Sequence, residues 1–241
     1  MNFPYKAVLF DWANTLVDLV NEEDRMALQR VYDHLQAKGF PLPDFQKLYD
    51  TYHHLFFGMI DISRSTHREA RFDHVLNFLL IENNIYLDGK VRFEDLLKIY
   101  YDEIYSHRKV FPDIMKTLAA LNESGVRMGI VSNTTNPGFM KDYERTLMGL
   151  DPFFEFSIYS SEVPYRKPHP SIFQLALDRL NLQASEVLFV GDNIQADIAG
   201  AQSVKMPAAW LNRTGKASSS DVKPDYVIQS ASELLTLPGK S

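Results

Sequence analysis

The sequence predicts an α/β protein: a parallel sheet covered by helices on both faces and interrupted after its first strand by an all-helical insertion. Two observations predict it. From Phe111 onward short apolar runs of strand formers alternate with amphipathic helices, the pattern of repeated βαβ units. Between the first such run and Phe111 lie about 90 residues whose only period is helical.

The first element is Lys6 to Trp12 (KAVLFDW), a short apolar run ending at an acidic residue. It has the look of a buried parallel strand with functional groups at its carboxyl end. The period then becomes helical. Asn21 with Asp24 resembles a capping box, Leu28, Val31, Tyr32 and Leu35 follow at i, i+3, i+4 and i+7, and Gly39 closes the helix. Phe45 to Phe56 carries a second stripe, Phe72 to Leu79 a third and Phe93 to Ile104 a fourth. The chain therefore divides into a core, residues 1–16 and 108–241, and an all-helical insertion, residues 17–107. Past Phe111 come a helix from Asp113 to Glu123 closed by Gly125, a strand from Arg127 to Ser132, a helix, and a strand from Phe154 to Tyr159. A helix from Pro170 to Leu180, a strand from Glu186 to Val190, a further helix, and short strands at Pro207 to Leu211 and Tyr226 to Ile228 complete the order. Thr214 to Asp221 (TGKASSSD) is Ser-rich and reads as a surface loop.

Composition narrows the function classes. The hydrophobic share of 45% is ordinary for a globular protein, and no run of about 18 apolar residues could span a bilayer. The opening MNFPYKAVLFDW lacks the basic and apolar segments of a secretory leader, so a cytoplasmic protein without a membrane partner is expected, as a monomer or homodimer. With no cysteine, the nucleophile of any covalent chemistry must be an oxygen or a nitrogen. A net charge of −6 argues against nucleic-acid binding. Residues 17–107 hold 10 Lys plus Arg against 16 Asp plus Glu, and so acidic an insertion would repel polyanions and favour a small substrate.

In an open parallel sheet, ligands bind outside the carboxyl ends of the strands. Four such ends carry chemistry: Asp11-Trp12-Ala13-Asn14-Thr15, Ser132-Asn133-Thr134, Lys167-Pro168 in the loop after the third strand, and Gly191-Asp192-Asn193 with Asp197 beyond it. This set suits transfer of a phosphoryl group to a carboxylate. Asp11 could attack phosphorus, Mg²⁺ on Asp11 and Asp192 would screen charge between two anions, and Ser132 with Lys167 would hold the equatorial oxygens. Unscreened, the like-charge repulsion would be roughly 4 kcal/mol at 4 Å in an effective dielectric near 20.

In order, hhhDxxxT, hhS(N/T), a lysine before proline and hhhGDxxxxD resemble the four motifs of the haloacid dehalogenase-like (HAD) superfamily, spanning residues 11 to 197. The resemblance implies a Rossmann-like core with an inserted helical C1 cap that closes over the site and reads the substrate. It implies Asp11 as nucleophile, and Mg²⁺ held by Asp11, Asp192 and the backbone carbonyl of Ala13, with Asp197 in support. Ser132, its neighbour Asn133 and Lys167 would bind the transferred group. The activity implied is a phosphatase of small phosphorylated metabolites, in the manner of the phosphoglycolate phosphatases, through an aspartyl-phosphate.

Position 13 departs from that pattern. Phosphatases of the superfamily carry a second aspartate there as general acid and base, and Ala13 cannot move a proton; such a loss costs roughly 10²–10⁴-fold. The string DWA followed by T is similar to phosphonoacetaldehyde hydrolase, which cleaves a P–C bond through a cap-lysine Schiff base, and makes Lys38 and Lys47 candidates. A third reading is a phosphate-metabolite binder that has lost turnover. The L-2-haloacid dehalogenases fit less well, because Gly191-Asp192 keeps the metal ligand and Phe173 replaces their tyrosine. His53 and His54 are adjacent on a helix and point about 100° apart, so they do not ligate one metal. Arg64, Arg68 and Arg71 read as a solvated face that could meet an anion, Asp18 as part of the hinge, and Trp12 as core or site wall.

Overall fold

The computed structural model describes residues 3–19, 24–215, 217 and 220–238. Asn21, with Lys216, Ser218 and Ser219 of the Ser-rich stretch, lies outside the described residues. The chain forms β1 (Ala7–Phe10), β2 (Val17–Asp18), α1 (Asp24–Ala37), α2 (Phe45–Thr66), α3 (Phe72–Glu82), α4 (Phe93–Ser106), β3 (Lys109–Val110) and α5 (Ile114–Glu123). It continues through β4 (Arg127–Ser132), α6 (Gly138–Leu147), β5 (Phe156–Tyr159), α7 (Pro170–Leu180), β6 (Val187–Gly191), α8 (Gly200–Ser203), β7 (Ala208–Leu211) and β8 (Tyr226–Ile228).

Six of these strands make one sheet in the order β5-β4-β1-β6-β7-β8, with every neighbouring pair parallel. β1 is central, Leu9 lying between Gly129 of β4 and Phe189 of β6. Its side chains alternate as pleating requires. Val8 and Phe10 pack with Ile114, Leu118 and Leu121 of α5 on one face, while Ala7 and Leu9 pack with Ile172, Phe173, Ala176 and Leu177 of α7 on the other. Burial on both faces explains why β1 is apolar throughout rather than alternating.

The insertion has its own core of Leu28, Val31, Tyr52, Phe72, Leu76 and Tyr100 among others. Asp44 caps α2 by accepting from the Gln46 N–H at 2.8 Å, and Gly39 and Gly125 end their helices at φ +80° and +73°. The all-helical reading of 17–107 fails at its start, since Val17 and Asp18 pair antiparallel with Val110 and Lys109. This two-stranded ribbon brings the chain out of the sheet and back side by side. No local period marks it, because two residues a side are too few to carry one. The helix expected after Asp192 begins as a turn of π-helix over Ile194–Ala199 before α8, and an unassigned 3-10 segment, Ala231–Thr236, packs on α5.

No helix of the described residues is long and apolar enough to cross a membrane.

Candidate active site

The carboxyl ends of β4, β1 and β6 lie side by side because those strands are neighbours, and they deliver Ser132, Asp11 and Asp192 to one edge of the sheet. Past β1 the chain turns tightly: the Asn14 N–H donates to the Val17 carbonyl at 2.8 Å and the Leu16 N–H to the Trp12 carbonyl at 2.9 Å. Asn14 takes φ +57° there, a conformation asparagine tolerates better than most residues.

Lys167 reaches this edge from the loop before α7. Its backbone is clamped by one side chain: the Lys167 N–H donates to Asn133 Oδ1 at 2.8 Å, and Asn133 Nδ2 donates to the Lys167 carbonyl at 2.9 Å. The buried ammonium donates to Asp11 Oδ1 at 2.6 Å and to the Val131 carbonyl at 2.8 Å, and pairs with Asp197 Oδ1 at 2.7 Å. Two of its N–H groups are thereby hydrogen-bonded, and Asp197 Oδ1 meets the same charge without a hydrogen bond of its own. Burial alone would lower the pKa of Lys167, but Asp11 and Asp197 outweigh it and raise it.

Asp197 is placed by the turn after β6. Asn193 accepts from the backbone N–H groups of Gln195 and Ala196 and donates its own N–H to Asp197 Oδ2 at 2.9 Å. Gly191 makes the close approach possible, since a Cβ there would stand 2.3 Å from Asp197 Oδ2.

Oxygens of Asp11, Asp192 and Asp197 lie within 4.8 Å of one another. Three carboxylates share one ammonium, and the crowding shows in their protonation. Burial, then Asp11 and Asp197, push Asp192 up to about 7 against the pull of Lys167. Burial likewise pushes Asp197 up to about 6, with Lys167 opposing and Asp11 assisting. The cluster is short of positive charge, and its all-oxygen donors could hold a hard divalent cation.

Two cavities meet here. One of about 210 Å³ is lined by Asp11, Asn14, Lys167, Asp192 and Asp197, the other of about 190 Å³ by Trp12, Ser132, Thr134, Arg108 and Lys141. Ala13 and Asn133 line both. The structure thus brings together the residues of the four strand-end motifs: Asp11, Ala13, Asn133, Lys167, Asp192 and Asp197 at the first cavity, and Ser132 at the second.

Other sequence candidates lie elsewhere. Lys38 and Lys47 are exposed and line neither cavity. His53 contacts the Phe57 ring at 4.3 Å, Arg64 and Arg68 are exposed, and Arg71 pairs with Asp73 at 2.8 Å. Asp18 lines a third cavity with Asp192, Trp210 and Arg213. Trp12 is both core and wall, buried against the sheet while its Nε1 donates to Glu144 Oε1 at 3.0 Å.

Sequence reasoning missed Arg166, Arg108, Lys141 and Glu144. Arg166 lines the acidic cavity and joins it to the insertion, contacting Ser63 at 3.0 Å and Glu69 at 3.2 Å. Ser160 donates to the other Glu69 oxygen at 2.6 Å. Arg166 sits next to Lys167, the only local hint. Lys141 and Glu144, at i and i+3 of a helix, read like an exposed ion pair but are buried.

A family model described as haloacid dehalogenase-like hydrolase matches residues 5–205. A glyceraldehyde 3-phosphate phosphatase of Pyrococcus furiosus is 30% identical over 95% of this chain and 91% of its own. Among solved structures, a HAD phosphatase from Thermococcus onnurineus is 29% identical with a TM-score of 0.65, covering 96% of each chain. A 2-haloacid dehalogenase from Pseudomonas syringae is 26% identical with a TM-score of 0.67, over 96% of this chain and 97% of its own.

Proposed function

The chain belongs to the haloacid dehalogenase-like hydrolases, and on that premise we propose that it is a Mg²⁺-dependent phosphatase of small phosphorylated metabolites. The observation that carries the reading is Asp11, which faces Asp192, Asp197 and the Lys167 ammonium at the end of the central strand. The relative from Pyrococcus furiosus, named as a phosphatase of a three-carbon phosphate ester, supports the substrate class.

In this reading Asp11 attacks phosphorus, the bond from phosphorus to the leaving oxygen breaks, and the phosphoryl group rests on Asp11 until water removes it. Lys167 holds Asp11 in a single orientation and offers positive charge to the phosphoryl oxygens as the substrate arrives. Ser132 and the Asn133 backbone flank the same point. Asp11, Asp192 and the Ala13 carbonyl would hold Mg²⁺, with Asp197 in support. When bound, the ion would screen the charge between Asp11 and the phosphate. Ala13 supplies no proton to the leaving oxygen, so turnover is expected to be slow, or to draw its proton from the substrate or from water. The helical insertion, tied to the core by the Glu69 contacts to Arg166 and Ser160, is read as the cap over this edge.

A screen of phosphate release from small phosphomonoesters, with and without Mg²⁺, tests the proposal. Turnover that needs Mg²⁺ and is abolished in Asp11→Asn supports it. Mg²⁺-dependent ligand binding without product would replace it with a binding role. Release of aldehyde and phosphate from phosphonoacetaldehyde, with a lysine adduct trapped by borohydride, would replace it with P–C cleavage.

A further inference from the structure

We propose that Lys141, with Arg108 beside it, anchors a second anionic group of the substrate on the leaving-group side of the phosphoester. The inference rests on the phosphatase reading and adds a charge requirement to it.

The cavity holding these residues shares Ala13 and Asn133 with the acidic one and also presents Ser132. A phosphoryl group placed between Asp11 and Ser132 therefore directs the rest of its molecule toward Lys141. The two cavities differ in character: three carboxylates gather with Lys167 and Arg166 in the first, whereas the charged side chains lining the second, Arg108 and Lys141, are both cationic. At about 190 Å³ the second has room for a few heavy atoms.

Lys141 is held in place from behind. Glu144 accepts from Lys141 with one oxygen and from Arg108 and the Trp12 indole with the other. The ammonium also lies 4.4 Å from the centroid of the Trp12 ring. Among the described residues the Lys141 ammonium hydrogen-bonds Glu144 alone, so two of its three N–H groups remain for an acceptor in the cavity. Burial and Arg108 pull its pKa down and Glu144 and Asp11 hold it up, leaving it at about 8, so the side chain is largely cationic at neutral pH. Ala13 contributes to the arrangement, because an aspartate at that position would place a competing carboxylate in the wall of both cavities.

The test compares kcat/KM, with Mg²⁺ present, for 3-phosphoglycerate, which carries a carboxylate, and pyrophosphate, which carries a second phosphoryl group, against glycerol 1-phosphate. The wild type should favour at least one of the two compounds with a second anionic group by about tenfold or more, and the favoured one identifies the group bound. Lys141→Met should bring that ratio close to one, mainly through the KM of the favoured compound, with glycerol 1-phosphate in the same preparation as the reference substrate and circular dichroism as the check on folding. Lys141→Arg should keep most of the preference. A purely structural lysine would lower all three substrates together, and that result overturns the inference, as does a wild type that prefers neither of the two. Turnover of none of the three overturns the phosphatase reading itself.

Should Lys141→Met fail to fold, the wild-type ratio decides by its pH dependence. It should fall as pH rises through about 8, where Lys141, faced by Glu144, Arg108, Trp12 and Asp11, loses its charge. A ratio that stays flat across that range refutes the role.

Discussion

The Lys167 ammonium lies 2.6 Å from Asp11 Oδ1 with both side chains almost wholly buried, and it is equally close to Asp197 at 2.7 Å. Neither pair is a surface ion pair of small worth. Lys167→Met would leave two buried carboxylates facing each other without a cation. Such a loss costs roughly 3–5 kcal/mol. Urea denaturation in chelator should register a loss of that size at pH 8 and a smaller one near pH 5, where protonation of Asp197 relieves the repulsion. An equal midpoint shift at both pH values would contradict this account.

Asp192 is strained in the opposite sense. Its folded pKa of about 7 lies above the ordinary carboxyl value, so its contribution to stability is greatest below the ordinary value and is lost as pH rises through about 7. The metal-free protein should therefore gain stability from Asp192→Asn at pH 8, with little change at pH 4.5, while metal binding is lost. Thermal melts with EDTA, paired with Mg²⁺ titrations, check both halves of the prediction.

The same shift would govern metal affinity. A cation held by Asp192 would have to displace its proton in order to bind. Apparent Mg²⁺ affinity should weaken by up to about tenfold per pH unit below pH 7. The rise in melting temperature on adding saturating Mg²⁺ should accordingly be larger at pH 8 than at pH 6. Calorimetric titration in buffers of different ionisation heat would count the protons released, and a count of zero at pH 6 would exclude the linkage.

Gly191→Ala should disturb the site with no charge changed. Its Cβ would fall 2.3 Å from Asp197 Oδ2 and 2.6 Å from Asp197 Cβ, so the carboxylate has to move away from Lys167. A destabilisation of about 1–3 kcal/mol and weaker Mg²⁺ binding are expected together. Normal metal affinity in the variant would mean that Asp197 does not support the metal.

Ala13→Asp restores a proton donor and acceptor at the junction of the two cavities. Turnover of an ester with an uncharged leaving group, such as glycerol 1-phosphate, should rise, by as much as roughly 10²–10⁴-fold. Steady-state kinetics on the two proteins side by side decides this, and an unchanged kcat would mean that another group already moves the proton.

Much of the fold could be read from local pattern. Arg127–Ser132, Pro170–Leu180 and Tyr226–Ile228 begin and end where their apolar runs and flanking residues put them, because buried strands and capped helices write their limits into adjacent positions. The ribbon of Val17–Asp18 with Lys109–Val110 could not be read in the same way. Its partners are separated by the whole insertion, and pairing at that distance leaves no period in either segment.

The chemistry divides along the same line. The order of Asp11, Ser132, Lys167, Asp192 and Asp197, each at the end of a strand or in the turn or loop that follows one, was enough to forecast a single acidic site, since neighbouring parallel strands must deliver their carboxyl ends to one edge. Burial was decided only by the tertiary structure. The packing of α6 against Trp12 turned Lys141 and Glu144 from what reads as an exposed i, i+3 pair into a desolvated cluster beside the acidic edge. The placing of Asp192 among Asp11, Asp197 and Lys167 set its proton affinity. Charge is carried by the residue, whereas the cost of that charge is set by its surroundings, which are assembled from segments distant in the chain.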